Sequence, residues 1–205
     1  YSSIKSLLVE LKKDDFFQLQ IVVGFSALIE NYGKVSDLIE RDGFKIDSYI
    51  YAHLDGDQNT MMAKTTGLGI IELSSAFEKL KPDLVFTIGD RFETLATAIS
   101  AAYMNIPLAH TMGGEVSGNL DESVRHAITK LAHIHFPASK ESYDRIIRLG
   151  EDRKYVCLSG CPRIDLIKLI SDKNEFNPGK ESITAGVGDN IDIDKEFSIV
   201  LYHPV

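Results

Sequence analysis

The chain of 205 residues lacks the features of a membrane or exported protein. It contains no run of about 18 apolar residues, so no membrane-spanning helix is predicted. Its first dozen residues are rich in Lys and Ser, which predicts an amphipathic helix rather than a signal peptide. We therefore expect a cytoplasmic protein that has no membrane partner.

Positive charge is also scarce. The chain carries 22 Lys and Arg residues against 30 Asp and Glu residues, which gives a net charge of −8 and a pI near 5.2. Because affinity for a nucleic-acid backbone comes mainly from clustered Lys and Arg, this balance predicts no nucleic-acid partner. An anionic ligand would have to be bound by a local basic site.

Cysteine is nearly absent, and two common nucleotide-binding motifs are missing. The only cysteines, Cys157 and Cys161 in CLSGC, match neither a CxxC redox motif nor a zinc site, and we expect both to be buried thiols. The sequence has no P-loop and no GxGxxG motif. It therefore supports neither a Walker-type ATPase nor a classical NAD dehydrogenase.

What is present is an alternation of short apolar runs with helical patterns, which is typical of βαβ units. The predicted fold is α/β, a Rossmann-like, doubly wound parallel sheet. The predicted strands are residues 18–24, 84–89, 106–110, 133–137 and 155–159. The most regular helix starts after Asn119, with Asp121 and Glu122 in its first turn, where the helix dipole favours carboxylates.

The two ends of the sequence predict a truncated organisation. No strand precedes the helix near Tyr1, so we expect the first strand of the domain to be missing. Residues 1–173 are predicted to form the domain, and residues 174–196 are polar and Gly-rich, as in a linker. Residues 197–205 are then predicted to form the first strand of a second domain, and we expect the rest of that domain to be missing from the sequence.

Two polar clusters follow predicted strands at the edge of the sheet where α/β proteins bind ligands. The first contains Asp90 and Arg91, directly after LVFTIG; the alternative is that Asp90 only caps the next helix. The second spans residues 110–119 and contains Glu115. Its double glycine allows backbone N–H groups to approach a ligand closely.

A third cluster lies on the helix that starts after Asn119. Its four members are Asp121, Glu122, Arg125 and His126. The i, i+4 spacing is equally consistent with a solvated face of ion pairs worth about 0.2–0.5 kcal/mol each. The convergence of the three clusters nevertheless favours a site in which carboxylates transfer protons and arginines hold a diphosphate. A sugar diphosphate suits this arrangement.

Long stretches of the chain resemble a known family. The segments are GDRFETLATAISAAYMNIPLAH, GGEVSGNLDESVRHAITKLAHIHF, LSGCPRID and the terminal HPV. They are similar to the hydrolysing UDP-N-acetylglucosamine 2-epimerases of sialic-acid-type sugar biosynthesis, and the resemblance runs from the first residue to the last. It implies the N-terminal half of a two-domain GT-B fold, with a UDP-sugar bound between the halves.

The resemblance also implies a reaction. The C2 proton of the sugar is removed, UDP leaves by anti-elimination, and hydration of the resulting glycal gives N-acetylmannosamine. General acid and base groups suffice, so no cofactor or metal is expected. The family implies a homodimer or homotetramer. Alternatives are a non-hydrolysing epimerase, a UDP-diacetylbacillosamine 2-epimerase, and a non-catalytic nucleotide-sugar-binding module.

Residue roles carried over by resemblance complete the prediction. The catalytic candidates are Asp90, Glu115, Asp121 and His203, and the substrate-binding candidates are Ser2, Arg91, Glu122, Arg125 and His126. One departure matters, because many relatives read His-x-Glu-Gly-Gly-Glu where this chain reads HTMGGE. Met112 cannot transfer protons, so either Glu115 supplies the second carboxylate or a different pair is used. In GFSALIENYG, a histidine found in relatives is also replaced.

Overall fold

The chain is described by a computed structural model, which describes residues 1–56, 58–172, 195, 196, 198, 200 and 201. It divides into two compact units, Tyr1–Leu166 and Ile167–Val205. All the candidate site residues discussed below lie in the first unit, except His203, which is outside the described residues. Most of the predicted linker and terminal strand also lie outside them.

The first unit is built from parallel strands and helices, which confirms the predicted α/β class. The strands are β1 (Val22–Gly24), β2 (Ser48–Ile50), β3 (Val85–Ile88), β4 (Leu108–Thr111) and β5 (Ile134–Phe136). The α-helices are α1 (Lys5–Lys13), α2 (Val35–Arg41), α3 (Asn59–Leu80), α4 (Phe92–Tyr103), α5 (Leu120–Leu131), α6 (Lys140–Arg148) and α7 (Pro162–Asp172). Short 3₁₀ helices occupy Phe25–Leu28, Glu30–Tyr32 and Arg153–Tyr155.

The strands form two parallel groups. One sheet has the order β3-β4-β5, in which Val85 pairs with Leu108 and Ala109 with Ile134. The other pairs β1 with β2. Since every described pairing is parallel, the carboxyl ends of neighbouring strands lie at one edge of each sheet.

The structure differs from the predicted elements at two places. Residues 155–159 were predicted as a strand, but they begin in a 3₁₀ helix and make a single parallel bridge, between Val156 and His135. The amides of Cys157 and Ser159 still donate to the carbonyls of His135 and Pro137, so the segment runs beside β5 without a full ladder. The sequence prediction also missed β2, a strand of only three residues.

The prediction of buried thiols was wrong. Cys157 is exposed and Cys161 is half-buried, and both are free. The segment after β5 makes one bridge to the outermost strand of its sheet, so among the described residues it lies at the sheet edge, where side chains are more accessible.

The main core lies between the three-stranded sheet and its helices. α4 contributes Ala96, Ala98 and Ala101, which are fully buried and allow close contact with α3. Ile128, in the last turn of α5, is also fully buried. This packing fixes the ends of β3 and β4 relative to α5. Among the described residues, no helix is long and apolar enough to cross a membrane.

Candidate active site

The central contact of the candidate site joins the end of β3 to α5. Arg125 donates from one guanidinium nitrogen to Oδ2 of Asp90, and from another to the carbonyl of Glu115 at 2.8 Å. The Arg125 side chain is 5% exposed, whereas that of Asp90 is 27% exposed. The buried arginine therefore fixes a carboxylate that solvent can still reach.

The structure excludes one of the sequence alternatives for Asp90 and one for Arg125. Helix α4 has Arg91 at its N-cap position and no side-chain cap hydrogen bond, so the interpretation of Asp90 as a helix cap was wrong. Arg125 is buried and turns inward to Asp90 rather than forming a surface pair with Asp121. The interpretation of the α5 cluster as an entirely solvated face was therefore wrong for Arg125.

A buried histidine links the ends of β3 and β4. His110 is fully buried, and its Nε2 lies 2.7 Å from the carbonyl of Gly89, the residue before Asp90. Since a carbonyl can only accept, Nε2 carries the proton. Burial lowers the pKa of His110 to about 4, so the imidazole is neutral near pH 7. His110 thus holds the turn that presents Asp90, a contribution the sequence analysis did not identify.

The double glycine after β4 allows neighbouring segments of the protein to pack closely. A Cβ at Gly113 would lie 3.0 Å from Nδ1 of His110, and one at Gly114 would clash with the carbonyl of Ser142 on α6. Gly114 also has a φ of +78°, and its carbonyl accepts a hydrogen bond from Arg145. The two glycines therefore let the loop that carries Glu115 lie directly against α5 and α6.

Side chains on the first turns of α5 hold the loop that precedes it. Oε2 of Glu122 accepts hydrogen bonds from the amides of Ser117 and Gly118, at 2.9 and 2.8 Å. The Gly118 and Ser117 amides hold the pKa of Glu122 below its usual range. Nε2 of His126 lies 3.9 Å from Oε1 of Glu122. Asp121, half-buried, is 3.4 Å from the side-chain amide of Asn119.

The remaining predicted residues lie apart from the Asp90–Arg125 pair. Arg91 is exposed, and its Nε is 3.1 Å from Oε2 of Glu93. Ser2 is exposed in the first turn of the chain, beside Ser3, whose hydroxyl accepts a hydrogen bond from Arg163. The structure thus brings Asp90, Arg125 and the main chain of Glu115 together, and it does not join Arg91 or Ser2 to them by a direct contact. Their predicted roles stay predictions.

A cavity of about 130 Å³ is lined in part by Arg91 and Phe92, which follow Asp90 in the chain, and the sequence analysis did not find it. Its lining residues come from the second 3₁₀ helix, the segment after β2, the first turns of α3 and the start of α4. They are Tyr32, His53, Leu54, Asp55, Gly56, Met61, Met62, Thr65, Arg91 and Phe92. Nδ1 of His53 is buried and has no hydrogen-bond partner, while its ring packs edge-on against Tyr32. We call this space the His53 cavity.

The described residues contain no cluster of three or more His, Cys, Asp or Glu side chains that could hold a metal ion. The fold and the site together define a Rossmann-like α/β domain that presents an arginine-held carboxylate at the carboxyl edge of a parallel sheet. Open α/β sheets bind their ligands at that edge.

Comparison with known proteins then identifies the family. The family model described as UDP-N-acetylglucosamine 2-epimerase matches residues 9–205, so the chain belongs to this family, as the resemblance predicted. A relative from Legionella pneumophila named UDP-N,N'-diacetylbacillosamine 2-epimerase (hydrolyzing) is 37% identical over 100% of this chain and 52% of its own length. A Campylobacter jejuni protein named GDP/UDP-N,N'-diacetylbacillosamine 2-epimerase (hydrolyzing) is 34% identical over 98% and 51%.

Solved structures share the fold. The crystal structure of UDP-GlcNAc 2-epimerase from Neisseria meningitidis bound to UDP-GlcNAc has a TM-score of 0.72 at 21% identity, over 84% of this chain and 46% of that one. A structure from Listeria monocytogenes has a TM-score of 0.75 at 20% identity, over 86% and 46%. The chain therefore spans about half the length of the relatives it matches.

Proposed function

We propose that this chain forms the N-terminal domain of a hydrolysing UDP-sugar 2-epimerase, with the predicted boundary after residue 173. The observation that carries the proposal is the carboxylate of Asp90, held by buried Arg125 at the edge of the sheet where this fold class binds ligands. Family membership supplies the reaction type. A carboxylate that is fixed yet accessible is suited to a proton transfer at a bound sugar.

The proposed reaction divides into an elimination and a hydration. A carboxylate accepts the C2 proton while the C1–O bond breaks, so that UDP leaves with the electron pair and a glycal remains. Water then adds its hydroxyl group at C1. A proton is delivered to C2 on the face opposite the one from which the first proton was removed, so C2 is inverted. We propose Asp90 and Glu115 as the two proton-transfer groups, since the Glu115 main chain is fixed to the same arginine.

The two arginines are proposed to have different roles. Arg125 is buried and already engaged with Asp90, which supports a positioning role. Arg91 is exposed at the start of α4, which supports a contact with the diphosphate. Asp121 and His203 are proposed as further catalytic groups, and Ser2, Glu122 and His126 as further contacts with the UDP-sugar.

For the substrate, we propose a UDP-sugar that carries two acetamido groups. The relatives at 37% and 34% identity both have names that specify a diacetylbacillosamine nucleotide. A relative from Neisseria meningitidis named UDP-N-acetylglucosamine 2-epimerase is 28% identical. The higher identities favour the diacetamido sugar over UDP-GlcNAc.

The test uses the complete gene product that contains this chain, incubated separately with UDP-GlcNAc and its diacetamido counterpart. We expect release of UDP and a free, 2-epimerised sugar, measured by a coupled UDP assay and by NMR. A product that is epimerised but still bears UDP would identify a non-hydrolysing epimerase. Binding of both nucleotides without turnover would instead identify a binding module and would reject the proposal.

The replacement of Glu115 by Gln tests the second carboxylate. Because glutamine cannot accept or deliver the proton, we expect turnover to fall by about 10²-fold or more. Glu78, exposed on α3, provides the matched control, since Glu78→Gln makes the same chemical change away from the site. If Glu115→Gln turns over as fast as Glu78→Gln, a different pair of groups does the chemistry.

A further inference from the structure

The main chain around Glu115 is held by charged side chains from two helices. Arg125 of α5 donates to the carbonyl of Glu115 at 2.8 Å, and Arg145 of α6 donates to the carbonyl of Gly114. The Gly114 carbonyl belongs to the peptide unit before the Cα atom of Glu115, and the Glu115 carbonyl belongs to the unit after it. Both peptide units that flank this Cα atom are therefore fixed by a guanidinium group.

The neighbouring parts of the same loop are also fixed. Gly114 is buried, and a Cβ there would clash with the main chain of α6. Beyond Glu115, the carboxylate of Glu122 accepts hydrogen bonds from the amides of Ser117 and Gly118. The Glu115 carboxylate itself makes no hydrogen bond or ion pair within the part of the chain that the structure describes. The loop thus fixes the main chain and leaves this carboxylate available to a ligand.

The position of Arg145 differs from that of an ordinary surface arginine. It is half-buried in the last turn of α6, whereas Arg148 of the same turn is exposed. Among the described residues its side chain has no carboxylate partner, and it is hydrogen-bonded to the Gly114 carbonyl. Partial burial of a cation without an ion pair costs free energy, so stability alone does not explain why Arg145 turns inward.

We propose that Arg145 is a positioning residue for the carboxylate of Glu115. This inference rests on the proposed function, because it takes Glu115 as a proton-transfer group. Arg145 acts through the main chain and not on the substrate, and Arg125 holds the other side of the same Cα atom. Since a misplacement of about 1 Å can cost about 10²-fold in rate, a loop fixed on both sides favours the reaction.

The first experiment is the substitution Arg145→Met in the complete gene product. Methionine keeps an unbranched side chain but cannot donate to the Gly114 carbonyl. We expect kcat with the UDP-sugar to fall about 10- to 100-fold, while the Kd for UDP stays within about twofold of the wild type. Arg148→Met is the matched control, because it removes the same charge from the same end of α6.

The conservative variant Arg145→Lys should recover part of the lost kcat. Lysine keeps the positive charge and a donor for the Gly114 carbonyl, but it lacks the planar guanidinium group. Circular dichroism shows whether each variant is folded. If Arg145→Met does not fold, Arg145→Lys takes its place in the measurements that follow.

A double-mutant cycle distinguishes positioning of Glu115 from a general structural role. Once Glu115→Gln has removed the carboxylate, Arg145 has no reacting group left to position. We therefore expect the double variant to have a kcat within about twofold of that of Glu115→Gln alone. An Arg145 that only stabilised the fold would lower kcat by the same factor in both backgrounds, and that result would overturn the proposal.

Failure of this inference can be distinguished from failure of the proposed function. If Arg145→Met turns over like Arg148→Met while Glu115→Gln is slow, the proposed function stands and the positioning role is rejected. A Kd for UDP that rises as far as kcat falls would also reject it, since Arg145 would then contribute to nucleotide binding. If Glu115→Gln turns over like Glu78→Gln, the proposed role of Glu115 fails, and the inference fails with it.

Discussion

Two regions of the first unit are built on different physical principles. The central region, residues 84–137, holds a buried arginine, a buried histidine and a carboxylate in one network of hydrogen bonds. The N-terminal region, residues 20–65, instead supplies most of a cavity with one unpartnered imidazole nitrogen. We infer that the central region fixes Asp90 in place, whereas the N-terminal region encloses an open space.

One of the contacts between the two regions is aromatic. The ring of Phe25, in the 3₁₀ helix after β1, would lie 2.6 Å from a Cβ at Gly69 of α3, and Ala96 of α4 lies beside it. Phe25 is buried and has a φ of +58°, which a non-glycine residue adopts only under strain. The absence of a side chain at Gly69 therefore makes room for the ring that connects the N-terminal region to the central core.

The largest effect should come from a change at the fixed carboxylate. Asp90→Asn removes a group that we propose transfers the proton, so we expect turnover of the UDP-sugar to fall by about 10³-fold. Asparagine keeps an oxygen that can accept from Arg125, so circular dichroism should show a folded protein. Asp83→Asn, at an exposed position before β3, is the matched control.

The comparison of regions fails if these two variants behave alike. Equal turnover in Asp90→Asn and Asp83→Asn would mean that the central network is structural only. A loss of binding of UDP alone in Asp90→Asn, with unchanged turnover at saturation, would assign Asp90 to nucleotide binding. A binding titration with UDP distinguishes this loss of nucleotide binding from a loss of the chemical step.

The sequence predicted the central region well. The helix that starts after Asn119 and the strands around residues 84–89 and 106–110 are present, because their apolar periodicity and turn residues agree with the tertiary packing. The gathering of polar side chains after the strands was also predicted. The particular pairing of Asp90 with Arg125 was not, since the i, i+4 pattern on α5 suggested a local partner.

The N-terminal region was predicted poorly for a different reason. β2 has three residues, and the cavity is lined by residues from four separate segments. Neither has a periodic signal, because such a space arises only once distant segments pack together. His53 occurs in no motif, and only the burial of its Nδ1 reveals it.

Two glycines with similar backbone conformations, one in each region, allow the two regions to be compared by the unfolding free energy of their variants. Gly114, in the central region, and Gly33, before α2, have similar φ values of +78° and +81°. A Cβ at Gly33 would meet nothing within 4 Å, whereas one at Gly114 would clash with Ser142. Gly33→Ala should cost about 1–2 kcal/mol of unfolding free energy from strain alone, and Gly114→Ala roughly 2–4 kcal/mol.

Denaturant titration of the two variants measures this difference directly. Because the backbone strain is nearly the same at both positions, the excess loss in Gly114→Ala reports the tight contact between the loop after β4 and α6. Equal losses would show that this loop can move away from Ser142, and the central region would then be less rigid than we infer.

A further expected effect, absent near neutral pH, is a dependence of stability on pH that comes from the buried imidazole of the central region. Burial lowers the pKa of His110 to about 4, against 6.5 when the chain is unfolded. Between these values the unfolded chain binds a proton that the folded chain does not. The unfolding free energy is therefore fully retained above pH 6.5 and falls by about 2 kcal/mol as the pH is lowered to 5.

The variant His110→Gln isolates this contribution. Its side-chain amide can still donate to the Gly89 carbonyl, but it does not titrate. Unfolding free energies of the variant should therefore fall less steeply than those of the wild type between pH 6.5 and 5, and run parallel to them between pH 7 and 8. Some slope should persist, because burial also lowers the pKa of His135. Identical slopes in both proteins would mean that His110 takes up its proton without unfolding, and Asp90 would then rest on a turn that solvent can reach.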